Sequence, residues 1–222
     1  MRRAKNIVRV KRMKECLGGG HKRKRGEERT ISRWNTVPMD ENQLIQNCIQ
    51  GNVEDFKGIV DMYKGKAMAF AVNLLGNRED AEDACQDTFI RIYNNLDKFD
   101  PSRQFKDWMY AILHNRCMDF LRKKKRFTKY FDAQKPVLRA VSKEDSGSGP
   151  VKKNLDYVPL PEKMLEKLSP KERTAVVLWA NESYSSSEIS GILGCSPGTV
   201  RVYLFKARRK IKRMMEEEHD SL

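Results

Sequence analysis

Apolar residues recur every three or four positions along two stretches of this chain, and no stretch alternates apolar and polar residues as a strand would. From Asp40 to Arg126 the pattern is helical throughout. Phe56, Ile59, Val60, Tyr63, Ala67, Phe70, Ala71 and Leu74 make one long stripe, which Gly76-Asn77 interrupts. Ala81, Cys85, Thr88, Phe89, Ile92 and Leu96 make the next. Asp100-Pro101-Ser102 is a turn, and Phe105, Met109, Ile112, Leu113 and Phe120 mark a third long helix. Stripes of this kind predict a compact helical bundle.

The second stretch begins near Leu160. Ser169-Pro170 with Glu172 is a cap signature, and Ala175, Val176, Leu178 and Trp179 are expected to pack against the helices beyond Tyr184. From Tyr184 to Arg213 the pattern reads as two helices joined by a tight turn. Ser185 caps the first, with Glu188 at capping-box spacing, and Ile189, Ile192 and Leu193 give it an apolar face. Gly194 ends it, because glycine accepts the left-handed conformation of a C-cap. Ser196 caps the second helix with Pro197 at its first position, where no amide proton is missed. Val200, Leu204, Ala207 and Ile211 should face inward, leaving Arg201, Phe205, Lys206, Arg208 and Arg209 outside. That is the layout of a helix-turn-helix whose second helix enters the major groove.

The expected fold is therefore all-α: two small helical domains joined by a flexible linker. Residues 1–38 form a basic arm of disordered composition, with Gly18-Gly19-Gly20 and almost no apolar periodicity. Met39, where the helical pattern starts, is an alternative translation start. Residues 39–126 make the first domain and 127–158 the linker, which contains Ser146-Gly147-Ser148-Gly149-Pro150. Residues 159–216 make the second domain, and 217–222 a tail.

Charge sharpens this picture. The 222 residues hold 44 Lys or Arg against 30 Asp or Glu, a net charge of +14. The arm alone carries thirteen of the basic residues and three acidic ones. Polyanions are the obvious partners. The five cysteines (Cys16, Cys48, Cys85, Cys117, Cys195) are odd in number and scattered, which fits reduced thiols in the cytoplasm. Cys16 and His21 lack a second ligand pair, so no metal is expected. No apolar run suits a membrane span or a signal peptide. No catalytic constellation, cofactor motif or small-molecule site is evident. A metal-dependent nuclease would need clustered carboxylates, whereas the acids here lie along one helix.

That helix, Arg78 to Leu96, carries Glu79, Asp80, Asp83 and Asp87 on one face, with Ile90 on the same side. An acidic face with an aliphatic residue, in a basic protein, suggests a protein contact. The next helix differs. Trp108, Tyr110, His114 and Asn115 precede Arg122-Lys123-Lys124-Lys125-Arg126. Aromatic rings stack on unpaired bases at about 1–3 kcal/mol each, and cations follow phosphates. One domain thus suits duplex reading and the other separated strands.

Particular residues carry a family resemblance. They are Asp80-Ala81-Glu82-Asp83-Ala84-Cys85-Gln86-Asp87-Thr88-Phe89, Phe105-Lys106-Asp107-Trp108-Met109-Tyr110, Asn115, Asp119 and Leu121-Arg122. In the second domain they are Leu168-Ser169-Pro170-Lys171-Glu172-Arg173, Glu188-Ile189, Gly198-Thr199-Val200-Arg201 and Lys206-Ala207-Arg208. Over about residues 40–215 the chain resembles bacterial RNA polymerase sigma factors of the sigma-70 family, extracytoplasmic-function (ECF) group. The resemblance implies that the chain binds core polymerase, recognises minus-thirty-five and minus-ten promoter elements, and promotes melting. Sigma domain 2 would bind the beta-prime clamp helices through Asp80, Asp83, Gln86, Asp87 and Ile90. Its third helix and preceding loop would meet the minus-ten element through Phe99, Trp108, Asn115, Arg122, Lys123, Lys124, Lys125 and Arg126. Sigma domain 4 would dock on the beta flap and read the minus-thirty-five element through Thr199, Arg201, Val202, Phe205, Lys206, Arg208 and Arg209. Many relatives are held inactive by an anti-sigma factor, a candidate partner here. The basic arm lies outside the family pattern. The competing reading is a helix-turn-helix regulator that needs no polymerase; the acidic face and the open-strand surface weigh against it.

Overall fold

The computed structural model describes residues 40–133, 161 and 167–219. The basic arm and most of the expected linker lie outside the described residues. Within them the chain forms helices α1 (Glu41–Ile49), α2 (Val53–Leu75), α3 (Arg78–Asn94), α4 (Phe105–Ala133), α5 (Pro170–Asn181), α6 (Ser186–Leu193) and α7 (Pro197–His219), plus a 3-10 turn at Leu96–Lys98. No strand occurs among the described residues.

Local chemistry fixes the breaks. Asn52 and Asn77 cap α2 and α3 by accepting from the amides of Glu54 and Asp80. Gly76 closes α2 at φ 69°, a left-handed turn that a Cβ would strain. Both expected capping boxes form, Ser169 with Glu172 and Ser185 with Glu188.

Helices α1 to α4 pack into the first module. Phe70, Phe89, Phe105, Met109 and Leu113 are among its fully buried side chains. Burying each such side chain stabilises by about 1.5–3 kcal/mol. Every residue expected in the first two stripes is buried, from Phe56 to Leu74 and from Ala81 to Leu96. Helices α5, α6 and α7 form the second module around Leu178, Ile189, Val200 and Ala207.

Two boundaries move. Helix α4 runs on through Ala133 rather than stopping at Arg126, since nothing between Phe105 and Ala133 is glycine or proline. Helix α7 likewise runs to His219, through the residues expected to begin a tail. The larger difference is in how the modules sit. The sequence suggests two bodies on a tether, but α6 packs directly on α4 and α5 on α2.

Candidate nucleic-acid interface

Helix α7 presents the outward face that its periodicity predicts. Val200 and Ala207 are fully buried, while Arg201, Val202, Lys206, Arg208 and Arg209 are exposed and the Phe205 ring is 60% exposed. Ser196 holds the start of the helix by accepting from the Thr199 amide at 3.2 Å, and its hydroxyl also meets that of Thr199 at 2.9 Å. Thr199 is half-buried at this cap. Trp179, expected in the core, is instead 46% exposed, with the Arg208 guanidinium 4.8 Å above its ring. A cation stacked on an aromatic face is held in one orientation. Arg201 and Arg208 also line a hollow of about 440 Å³, together with Ser183, Ser185 and Ser186.

Helix α4 has three faces. Phe105, Met109 and Leu113 enter the core. Trp108, Asn115 and Arg122 fall on a second strip at seven-residue spacing, with Trp108 half-buried, and Asn115 and Arg122 to Arg126 exposed. The third strip carries Tyr110 and His114. Their rings, read from the sequence as suited to exposed bases, are only 1% and 3% exposed because the second module covers them. Phe99 is also turned inward. Its ring packs 5.2 Å from Trp108 and 5.5 Å from Phe105, so it supports the loop before α4 from beneath.

On α3, Asp83 and Gln86 are exposed. Asp80 lies 3.9 Å from Lys124, and Asp87 pairs with Arg116 of α4. Ile90 is half-buried against the core rather than a free aliphatic residue. The acidic strip is therefore open at its centre and tied to α4 along one edge. Beside it, between α2 and α3, runs a groove of about 560 Å³ with Lys57, Asp61, Lys64, Arg78, Glu82 and Gln86 around Val60, Met68 and Phe89.

The contacts between modules form a cluster that the sequence did not signal, because its members are far apart in the chain. Tyr184 donates to Asp107, and Tyr110 donates to Glu182 at 2.8 Å. Lys106 reaches Glu182 at 3.3 Å and lies 4.6 Å over the Tyr184 ring. Burial and the neighbouring carboxylates push both tyrosine hydroxyls far above their ordinary range, so they stay protonated and act as donors. The Thr174 hydroxyl donates to the Pro170 carbonyl, so it accepts from His114 Nδ1 at 3.1 Å. Arg173 donates to the Leu74 carbonyl at the end of α2, at 3.0 Å. Among the described residues no group of three His, Cys, Asp or Glu could hold a metal ion. Cys85 and Cys117 are buried free thiols, and Cys48 and Cys195 are half-buried ones. No helix among the described residues is long and apolar enough to cross a membrane.

Residues 59–127 match the family model for Sigma-70 region 2, and residues 162–211 the model for Sigma-70 region 4. Two helical modules in this order, the second ending in an exposed basic recognition helix, define a sigma-70-type transcription initiation factor. The ECF RNA polymerase sigma factor SigW of Bacillus subtilis (strain 168) is 33% identical over 184 residues, covering 78% of this chain and 95% of SigW. EcfG of Rhodopseudomonas palustris (strain TIE-1), also an ECF sigma factor, is 27% identical over 66% of this chain and 77% of its own. In structure, the chain is similar to the sigma factor RpoE bound to the anti-sigma factor NepR from Bartonella quintana. That match has a TM-score of 0.56 at 25% identity, covering 73% of this chain and 98% of RpoE. CnrH in complex with the cytosolic domain of CnrY is similar at a TM-score of 0.54 and 26% identity, covering 78% and 96%. The chain belongs to the ECF RNA polymerase sigma factors.

Proposed function

We propose that this sigma factor reads promoters with two separate strips and holds core polymerase with a third. Arg201, Val202, Phe205 and Lys206 face the minus-thirty-five element in the major groove. An arginine suits a guanine edge and a phenylalanine a thymine methyl. Thr199, Arg208 and Arg209 would meet backbone phosphates, and the hollow between Arg201 and Arg208 suits one of them. Trp108 and Asn115 meet the opened minus-ten strand, while Arg122, Lys123, Lys124, Lys125 and Arg126 follow its phosphates. Phe99 shapes that loop from below. Asp83 and Gln86, flanked by Asp80, Asp87 and Ile90, form the polymerase strip. The division into residues 39–126 and 159–216, with helical extensions to 133 and 219, follows the same reading.

The observation that carries this is the joint exposure of Arg201, Val202, Phe205 and Lys206 on a helix whose opposite face buries Val200, Leu204 and Ala207. On core polymerase the two modules would be held at fixed separation, so modest affinities combine through effective concentration. Capturing an unstacked base would offset part of the cost of opening the duplex. The protein acts through binding, with no covalent step of its own, in the cytoplasm where polymerase works. An anti-sigma protein is a candidate partner, since the RpoE relative was solved bound to one.

Run-off transcription with core polymerase, with start sites mapped, tests the reading. Initiation at defined sites only when the factor is added is the expected result; no initiation would overturn it.

A further inference from the structure

We propose that the far end of α4 is a further promoter contact, in which Tyr130, with Phe127 and Arg126 beside it, meets paired DNA just upstream of the minus-ten element. This rests on the sigma-factor reading above and extends it past the minus-ten strip. Tyr130 lies beyond residue 127, where the match to Sigma-70 region 2 ends.

Helix α4 leaves the core at Leu121, the last of its residues packed against it. Residues 122–128 and 130 are all exposed, so this end projects from the first module. Two large rings stand on it, Phe127 at 66% and Tyr130 at 61% exposure. Three residues apart on a helix, they are neighbours on its surface. A single exposed ring is ordinary, whereas adjoining rings on a basic surface mark a contact site.

The charges around the rings select the occupant. Arg122 pairs with Asp119 at 2.9 Å, and Lys124 reaches Asp80 at 3.9 Å. Lys123, Lys125 and Arg126 have no acidic partner among the described residues. Like charges crowded this closely repel one another and are relieved by a polyanion.

Periodicity sets the side of the helix on which that polyanion lies. At about 100° per residue, Arg126 stands about 20° from Asn115 and Tyr130 about 60° from it. Both therefore continue the Trp108–Asn115–Arg122 strip, and Phe127 flanks them. Lys124 stands about 180° from Asn115 and faces Asp80 on α3. The polymerase strip is thus behind α4, and Tyr130 is on its promoter side. The chain runs on from α4 to the second module, which reads the element farther upstream, so this end of α4 faces upstream. Tyr130 is about 22 Å beyond Asn115 along the axis, the length of about six or seven base pairs. DNA above the opened element stays paired, as a helix-turn-helix requires of the duplex it reads. There a tyrosine ring packs on a thymine methyl or a sugar and its hydroxyl donates to a phosphate, while Arg126 holds the backbone.

Holoenzyme assembled from the full chain and core polymerase tests this on two forked templates. Both carry the opened minus-ten strand. One has no paired DNA above it, and the other keeps about ten upstream pairs, a single turn that stops short of the minus-thirty-five element. The double variant Phe127→Ala with Tyr130→Ala should bind the longer fork roughly tenfold more weakly than wild type, and the shorter fork equally. Both rings are exposed and alanine favours helix, so the variant keeps its fold. Tyr130→p-benzoylphenylalanine, photolysed in the same complex, should crosslink to DNA within about seven pairs upstream of the minus-ten element. Crosslinks confined to a polymerase subunit would overturn the proposal. So would a double variant that binds the longer fork as well as wild type does, or that loses both forks equally. Failure of wild-type holoenzyme to bind either fork would instead overturn the sigma-factor reading beneath it.

Discussion

Single side chains divide into those whose place the sequence settles and those it leaves open. Arg201 belongs to the first kind, because Val200, Leu204 and Ala207 fix which way α7 faces. Arg201→Ala should weaken minus-thirty-five recognition by about 1–3 kcal/mol while leaving polymerase binding unchanged. Footprinting of the holoenzyme beside a pull-down with core polymerase checks both halves. Asp83 is exposed on the proposed polymerase strip, so Asp83→Arg should reduce holoenzyme assembly; unchanged co-purification would rule that strip out as the polymerase contact. Phe89 is 1% exposed in the first module. Its truncation to Ala should lower stability by about 3–5 kcal/mol, measured by urea unfolding. Tyr110 and His114 belong to the second kind. An aromatic or imidazole on an amphipathic helix looks the same whether it meets a base or a neighbouring module, and only the position of α5 and α6 resolves it.

At the scale of elements, caps and stripes gave nearly everything. The Ser185–Glu188 box, the Gly194 stop at φ 61° and the Ser196 cap place the helix-turn-helix where its pattern predicts. Ser185→Ala should remove about 1 kcal/mol from the second module, seen as a lower thermal midpoint. The misses lie at helix ends. Loss of apolar periodicity after Arg126 reads as linker, yet α4 continues as a helix to Ala133, with residues 122–128 exposed. Periodicity reports burial, so a helix that leaves the core loses its pattern without losing its hydrogen bonds.

The whole molecule adds a pH dependence that no single element contains. Burial at the module contact, with the cations Lys171 and Arg122 nearby, lowers the His114 pKa from its ordinary 6.5 to about 4. The folded chain therefore takes up the proton less readily than the unfolded chain. Its contribution to stability is fully present above pH 6.5 and is lost as pH falls from there towards about 4, by up to about 1.4 kcal/mol per pH unit. Urea unfolding across that window should show lower stability on acidification. His114→Gln, which keeps a donor for Thr174, should flatten the response between those limits, and an unchanged profile would show that other groups set it.

The sequence alone determined the helices, their buried faces, their order and the family, because each depends on spacing and capping chemistry within a few residues. It also set the basic face of α7 outward, since side chains that cannot enter the core must face solvent. Only the tertiary structure decided that the two modules touch and that Phe99, Tyr110 and His114 are covered. Those contacts join residues such as Tyr184 to Asp107 and Tyr110 to Glu182, which lie in different modules. Such polar partners across distant segments leave no periodic trace: a tyrosine and a carboxylate are each acceptable on an exposed helix face until folding brings them together.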